Sequence, residues 1–252
     1  MHPSPALILQ LHDQRLDLKR QSVGVPIRPA RSISQSLNAA ILVAGVELVA
    51  GLAGDIELPA QHRHLLAFGL RNPTALTIQP GSGQVWAVVN ERDEIGPGLV
   101  PDYLTAVREG GFYGWPYSYW GRNVDDRVRP QDPDKVASAL VPDYSLGSHV
   151  AALGVAFSNP AMGAAFADGV FVGEHGSWNR SDPVGYKVVF VPFREGVPSG
   201  PPVDFVANFR GQDGKTRGRP VGVTVDPRGA LIVADDLSNT IWRVTLVHDG
   251  QS

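Results

Sequence analysis

The chain has 252 residues with a formal net charge of −3, of which 43% are apolar and 19% are charged. This composition is enough for a buried core in one large domain or two small ones, so a disordered chain is excluded. The negative balance argues against nucleic acid as a partner, and the absence of cysteine excludes a disulfide scaffold, thiolate metal sites and a cysteine nucleophile.

Residues 1–64 differ in composition from the rest of the chain. The first aromatic residue is Phe68, and aromatic side chains supply much of the buried area in protein cores. The apolar stretch at 39–54 contains Glu47 and three glycines, so it is too short and too interrupted for a membrane span. No signal peptide is evident. We therefore expect 1–64 to be a weakly ordered leader, with a foreign segment such as a frame-shifted gene start as the alternative.

From residue 65 onward, short apolar runs recur between turn signals. Glycine and proline, 28 and 21 residues, make up about a fifth of the chain, against an average of about an eighth. The repeated unit is a strand, a Pro/Gly turn and a second strand, at 76–78 with 85–89, 153–157 with 169–172, and 221–225 with 231–234. Further strands are predicted at 187–192 and 240–245. Such a repeat is typical of a β-propeller, and a β-sandwich is the alternative.

Polar residues precede the first strand of each unit at nearly the same offset: Arg71 and Asn72, then His149, then Arg219. In a propeller the first strand of every blade lines the central channel, so these side chains are expected to meet at one mouth. Arginines around a funnel suit an anionic ligand, because a guanidinium binds a carboxylate bidentately. The alternative is that each arginine pairs with a loop carboxylate such as Asp235.

An acidic loop contains Glu91, Asp93 and Glu94. Carboxylates two and three residues apart in such a loop can bind a hard cation such as Ca²⁺ through oxygen. The spacing is not that of an EF-hand, and a solvated acidic loop is the alternative. The sequence therefore offers these three residues as candidate metal ligands.

Two loops are rich in aromatic residues. Residues 110–120 combine glycines with six aromatic side chains and could form a stacking surface for a sugar or a quinone, or simply pack under a long loop. Residues 176–180 place Trp178, Asn179 and Arg180 together. The chain has no nucleophile elbow, Walker loop, dinucleotide fingerprint or zinc-protease helix. The sequence therefore does not indicate the enzyme classes that depend on these motifs.

Several motifs occur in one order: FGLRNP (68–73), VNERDE (89–94), PDY (101–103), GFYGWP (111–116), HGSWNR (175–180), GYKV (185–188), GRPVGV (218–223) and VADD (233–236). In these residues the chain resembles the glucose/sorbosone dehydrogenase family, and most closely its sorbosone dehydrogenase-like branch. The resemblance runs from about residue 65 to 245. It implies an all-β, six-bladed propeller that binds pyrroloquinoline quinone (PQQ) and Ca²⁺ and oxidises an aldose or aldehyde sugar.

The resemblance also implies site residues, partners and a location. The implied cofactor ligands are Arg71 and Asn72, the position at Asn179 or Arg180, and Arg219, while Glu91, Asp93 and Glu94 match the calcium-binding stretch. The implied partners are a small sugar or aldehyde and an external electron acceptor. The implied location is the bacterial periplasm.

The chain departs from the family at its beginning. The first blades of the family should precede Gly69, and the general-base histidine lies in that part. We therefore expect residues 65–252 to form an incomplete set of blades, with reduced or no activity alone, and the motifs assign no catalytic residue. The alternative function is a non-catalytic propeller that binds a small anionic ligand or a protein.

Overall fold

The computed structural model describes residues 39–42 and 65–246, and nearly all regular structure there is β-strand. One short helix, α1 (Pro133–Ser138), and two 3-10 turns (Pro160–Met162 and Ala164–Phe166) interrupt the strands. None of the helices in these residues is long and apolar enough to cross a membrane. The strands are β1 (Ala39–Leu42), β2 (Leu65–Leu70), β3 (Asn72–Ile78), β4 (Val85–Asn90), β5 (Pro101–Ala106), β6 (Gly111–Phe112), β7 (Ser118–Tyr119), β8 (Asn123–Val124), β9 (Tyr144–Ser148), β10 (Ala152–Phe157), β11 (Gly169–Glu174), β12 (Lys187–Arg194), β13 (Val197–Pro198), β14 (Val203–Val206), β15 (Pro220–Val225), β16 (Leu231–Asp235) and β17 (Thr240–Val244).

Three sheets repeat the same antiparallel meander. Strands β3-β4-β5-β9 form the first blade, β10-β11-β12-β14 the second, with β13 also pairing β12, and β15-β16-β17 the third. Each blade opens with one of the strand–turn–strand units predicted from the sequence. The alternation and the Pro/Gly turns are local signals, so the sequence alone is enough to place these strands.

The first strand of the second blade, β10, contacts the first strands of both other blades, β3 and β15. The hydroxyl of Thr74 on β3 donates to the Ala152 carbonyl on β10 at 2.6 Å. Between β10 and β15 the backbones approach so closely that a Cβ built at Gly154 would lie 2.2 Å from the Val221 carbonyl oxygen. Sheets that meet through their first strands are blades around a common axis. The fold is thus all-β with propeller blades, as predicted, and not a sandwich.

The core lies between the sheets and not within one layer. The first and second blades enclose a cluster that includes Trp86, Leu104, Val172 and Phe193. The second and third enclose Met162, Phe171, Phe190, Leu231 and their neighbours. Packing between blades therefore fixes the relative positions of the loops that each blade carries.

A small sheet, β1-β2-β6, covers the other side of the first blade. Strand β2 pairs antiparallel with β1 and parallel with β6, and Leu70 at its end is fully buried. Strand β1 belongs to the segment expected to be a weakly ordered leader, and the remainder of 1–64 is outside the described residues. This sheet holds the chain that leads into Arg71.

Candidate active site

A cavity of about 260 Å³ opens at one end of the first and second blades. Its walls come from the residues before β3, the residues after β4, strand β5, the turn before β10 and the loop after β11. The lining residues are Arg71, Asn72, Asn90, Glu91, Asp93, Asp102, His149, Ala151 and Trp178. Strand ends of two blades thus bring together residues that lie far apart in the sequence.

Arg71 forms one wall of the cavity and is held by the acidic loop. Its Nη1 donates to the Glu91 carbonyl at 2.7 Å, and its Nη2 pairs with Asp93 Oδ2 at 3.3 Å. The side chain remains about a quarter exposed (26%). A guanidinium held in this way presents a fixed positive charge to a ligand in the cavity.

Asp93 is the centre of the polar network. Besides Arg71, its carboxylate accepts a hydrogen bond from Asn179 Nδ2 at 3.1 Å and lies 3.5 Å from His149 Nδ1. The network thus joins the first blade to the turn before β10 and to the loop after β11. Asn179 does not line the cavity wall itself, but it reaches the site through Asp93.

His149 is buried and has a positive φ of 63°, a backbone conformation that is uncommon for a residue other than glycine. Its Nε2 lies 3.1 Å from the Gly96 carbonyl oxygen. Because a carbonyl can only accept, the proton of a neutral ring is on Nε2. The Nδ1 lone pair is then turned towards Asn179 Nδ2, which is 3.4 Å away.

Asp102 ties the acidic loop to the turn before β10. Its two oxygens accept from the backbone amides of Glu91 and Ala151, each at 2.8 Å. Burial raises the pKa of Asp102 to about 6, although both hydrogen bonds favour the carboxylate. Asp102 lies within the PDY motif (101–103), from which no role for it was predicted. A lone acidic residue in an apolar strand was the signal that could have identified it.

Two of the predicted cationic ligands do not line the cavity. Arg219 donates from Nε to the His175 carbonyl at 2.9 Å and from Nη2 to the Gly176 carbonyl at 2.7 Å. Arg180 donates to the Pro97 carbonyl at 2.6 Å. Both guanidinium groups are thus occupied in holding loops. Arg71, Asn72 and His149 line one cavity, whereas Arg219 is outside its lining and binds the loop that carries Trp178.

The three predicted metal ligands do not face one point. Glu91 is buried and accepts from its neighbour Arg92, with its pKa raised by burial, whereas the Glu94 side chain is 88% exposed. Among the residues that the structure describes, no group of three or more histidine or carboxylate side chains is arranged to hold a metal ion. Only Asp93 of the three presents a partly exposed carboxylate at the centre of the network.

Two side-chain amide oxygens at the candidate site are buried without a hydrogen-bond donor. They are Asn90 Oδ1 in the cavity wall and Asn179 Oδ1 beside Asp93. Buried acceptors of this kind are costly unless something pairs with them. A hard cation such as Ca²⁺ takes amide, carbonyl and carboxylate oxygens together, so this donor set suits it better than the acidic triad does.

An exposed aromatic ring stands at the rim. Trp178 is 77% exposed and lines the cavity. Its loop is fixed on both sides, since His175 Nε2 lies 3.0 Å from both carboxylate oxygens of Asp236 and the Tyr186 hydroxyl donates to the Ser177 carbonyl at 2.5 Å. The ring is therefore presented to solvent by an anchored loop.

Two family models match this chain. The glucose/sorbosone dehydrogenase model covers residues 56–177, and a model described as TrAA12-like covers 124–247. Residues 56–177 are thus glucose/sorbosone dehydrogenase-like. The first of these matches contains the acidic loop and His149, and the second contains His149, Trp178 and Arg219.

The chain is also similar to one curated protein and to several solved structures. An uncharacterized protein from Borreliella burgdorferi is 30% identical over 193 residues, 75% of this chain and 51% of that protein. A calcium structure of a Trichoderma reesei carbohydrate-active enzyme of family AA12 is 21% identical with a TM-score of 0.63, covering 77% of this chain and 57% of that one. The holo PQQ domain of pyranose dehydrogenase from Coprinopsis cinerea is 24% identical with a TM-score of 0.57, covering 74% and 56%.

These structural likenesses establish the propeller fold. The chain spans about half the length of the relatives it matches.

The cavity can be compared with the cofactor that the family implies. PQQ carries three carboxylates and an ortho-quinone, and the resemblance in sequence implies Ca²⁺ beside it. Arg71 offers a guanidinium to an anionic group, while Asp93 and the unpartnered amide oxygens offer ligands to a hard cation. Arg71, Asp93 and the two amide oxygens together fit an anionic group bound to calcium. Arg180 and Arg219 do not belong to this set of ligands.

Proposed function

We propose that this chain carries out PQQ- and calcium-dependent oxidation of an aldose or aldehyde sugar. The observation that supports the proposal is the meeting of Arg71, Asp93 and His149 at one cavity between two blades, with Asn179 bound to Asp93 behind them. Arg71, Asp93 and His149 come from separate segments of the residues that match the glucose/sorbosone dehydrogenase model. A fortuitous cluster of surface charges has no reason to include two buried, unpartnered amide oxygens.

The binding roles follow from the donor chemistry. Arg71 would bind a carboxylate or a quinone oxygen of the cofactor, with Asn72 beside it. Asp93, together with the side-chain oxygens of Asn90 and Asn179, would bind Ca²⁺. When bound, PQQ supplies the ortho-quinone that takes up the two electrons of the oxidation.

Oxidation of a sugar hydroxyl also requires a group that accepts the hydroxyl proton. His149 is the imidazole that lines the cavity, and with its Nε2 proton donated to Gly96 its lone pair is on Nδ1. A substrate hydroxyl would have to replace Asn179 Nδ2, which lies 3.4 Å from Nδ1. We assign His149 as the proton acceptor. Asp102 would hold the turn that carries His149, because it binds the amide of Ala151 two residues later.

The properties of the whole protein belong to the same proposal. They are an aldose or aldehyde sugar as substrate, an external electron acceptor, and action in the bacterial periplasm. They are inferred from the family, because the chain covers about half of each matched relative.

The test is a thermal melt of the purified chain with and without PQQ and CaCl₂. A ligand at a hundred times its Kd adds about 2.7 kcal/mol, which for this size raises Tm by roughly 5–10 °C. Dye-linked sugar oxidation then reports turnover. Binding without dye reduction would support the alternative, a non-catalytic binding module.

Arg71→Gln tests the site within the same experiment. It should remove the shift produced by PQQ and Ca²⁺, because Arg71 is the arginine of the cavity. Arg217→Gln is the control, since Arg217 is 57% exposed and pairs with Asp213 away from the cavity. The proposal fails if the unaltered chain shows no shift, or if Arg71→Gln retains it.

A further inference from the structure

One end of the described blades carries three large apolar side chains in contact with solvent. Leu99 lies in the β4–β5 connection, Trp178 in the β11–β12 connection and Leu237 in the β16–β17 connection, and they are 44%, 77% and 48% exposed. Each therefore comes from the connection between the second and third strands of its blade. Exposed apolar side chains that form one surface mark an interaction site, whereas scattered ones do not.

The three connections are joined to one another. Arg180 in the β11–β12 connection donates to the Pro97 carbonyl in the β4–β5 connection at 2.6 Å. On the other side, His175 Nε2 lies 3.0 Å from both carboxylate oxygens of Asp236 in the β16–β17 connection. Trp178 lies between His175 and Arg180 and lines the cavity of the candidate site. The apolar side chains thus form one surface around the cavity mouth.

A basic segment borders this surface. The β14–β15 connection, residues 207–219, has four cationic side chains and one carboxylate, although the whole chain has a net charge of −3. They are Arg210, Lys215, Arg217, Arg219 and Asp213. Residues 175–186 and 236–239 add one arginine and two aspartates, which gives five cations against three carboxylates. Residues 91–100 have the opposite balance, with three carboxylates and one arginine. The positive side of the surface therefore belongs to the second and third blades.

The basic segment is attached directly to the loop that carries Trp178. Arg219 donates to the carbonyls of two residues in that loop, and the Arg210 guanidinium lies 5.9 Å from the centre of the Tyr186 ring. The Tyr186 hydroxyl in turn donates to the Ser177 carbonyl. The indole and the cations are thus held at fixed positions, and little ordering is needed when a partner binds.

This combination of side chains favours a protein as the partner. Tryptophan and arginine are enriched among the residues that contribute most of the binding energy in protein interfaces. An apolar centre with polar groups at its edge is the usual arrangement of such interfaces. The positive surplus favours a partner with an acidic face, because complementary charges raise the association rate and orient the two proteins.

We propose that the external electron acceptor is an acidic one-electron carrier protein that docks on this surface. The inference rests on the proposed function, because it identifies the class of acceptor for the same oxidation. Oxidation of a cyclic aldose to its lactone breaks one C–H and one O–H bond and releases two electrons and two protons. Two oxidised carrier molecules dock in turn and each takes up one electron, while the two protons pass to water.

The test is calorimetric titration of the full chain with two haem proteins of opposite charge, the acidic soluble domain of cytochrome b5 and the basic cytochrome c. Cytochrome b5 should bind at least about tenfold more tightly, and added NaCl should weaken its binding because exposed charges are screened. Lys215→Glu should lower the affinity for cytochrome b5 about tenfold. Arg228→Glu is the matched control, because Arg228 is also exposed but lies in the β15–β16 turn at the other end of the third blade.

Trp178→Ala tests the apolar part of the surface. It should also lower the affinity for cytochrome b5, whereas Ile241→Ala, which removes a side chain that is 73% exposed on β17, should not. Equal binding of the two haem proteins contradicts the docking surface, as does an equal loss in Lys215→Glu and Arg228→Glu.

Reduction kinetics separate this inference from the proposed function. With PQQ and Ca²⁺ bound, Lys215→Glu should slow the reduction of cytochrome b5 by the sugar about tenfold at low ionic strength and leave the reduction of a small dye unchanged. Dye reduction without binding of cytochrome b5 contradicts the docking surface and leaves the proposed oxidation standing. Binding of cytochrome b5 without reduction of either acceptor contradicts the proposed oxidation, and with it the acceptor role of this surface.

Discussion

Asn179 donates a hydrogen bond to Asp93 at 3.1 Å across 86 positions of the chain. The contact joins the loop after β11, in the second blade, to the loop after β4, in the first. Asp93 also pairs with Arg71 in front of β3. The candidate site therefore exists only where the two blades are packed, and its affinity and the stability of the blade interface should change together.

Asn179→Asp should make stability depend on calcium more strongly. Without metal, the new carboxylate beside Asp93 replaces a hydrogen bond with repulsion between like charges, at a cost of about 1 kcal/mol. With CaCl₂, the added carboxylate is a further ligand and the loss should shrink or reverse. Thermal melts in EGTA and in CaCl₂ measure both, and the unaltered chain should itself melt lower in EGTA. Asn208→Asp, at an exposed position, is the control, and an equal loss in both buffers would contradict the metal assignment.

Arg219→Lys should affect the fold more than the cofactor. Its guanidinium binds two carbonyls of the loop that carries Trp178, and lysine cannot reproduce both hydrogen bonds in that geometry. We expect a loss of about 1–3 kcal/mol in unfolding free energy. Titration with PQQ and Ca²⁺ should show a smaller loss of affinity than Arg71→Lys shows. If the two variants lose affinity equally, Arg219 contacts the cofactor after all.

The blades could be predicted from the sequence, whereas much of the site could not. Apolar alternation and turn residues act over a few positions, so the strands around 85–90, 152–157 and 231–235 follow from local patterns. Arg71 and Asn72 line the cavity, and the offset of these residues from a strand can be read in the sequence. The direction of the Arg219 guanidinium depends on carbonyls of another blade, which the offset does not reveal.

The acidic loop is a second part of the site that could not be predicted from the sequence. Three carboxylates within four residues predict a shared ligand only if their side chains point the same way. In the structure Glu91 is buried against Arg92, while Glu94 faces solvent. The amide oxygens of Asn90 and Asn179 became candidates only when packing showed that no donor reaches them.

Gly154→Ala should destabilise the contact between the second and third blades. The new Cβ would lie 2.2 Å from the Val221 carbonyl oxygen and 2.9 Å from the Val223 nitrogen, and backbone atoms on both sides leave little room to move. We expect a loss of about 1–3 kcal/mol or more, measured by urea denaturation. Gly222→Ala, on the facing strand with no atom within 4 Å of its added Cβ, is the control. A similar result for both variants would contradict the close packing of β10 on β15.

Glu174→Gln should stabilise the chain increasingly as the pH rises. Glu174, at the end of β11, is buried with one oxygen unpartnered, and burial raises its pKa from 4.5 to about 8. Between these values the unfolded chain loses the proton while the folded chain keeps it, so the stability of the unaltered protein falls with rising pH through this window. Glutamine does not ionise in either state and avoids the loss. The advantage of Glu174→Gln should therefore grow between pH 5 and pH 8 by about 2–4 kcal/mol.

Urea denaturation at pH 5, 6.5 and 8 measures that difference. Glu195→Gln, in the exposed turn between β12 and β13, is the matched control, and its difference from the unaltered chain should be small at each pH. If Glu174 stays protonated in the folded chain, the difference in unfolding free energy between Glu174→Gln and the unaltered chain rises with pH. A constant difference for Glu174→Gln would mean that Glu174 is already ionised in the folded chain, with the nearby Lys187 amine as its counter-charge.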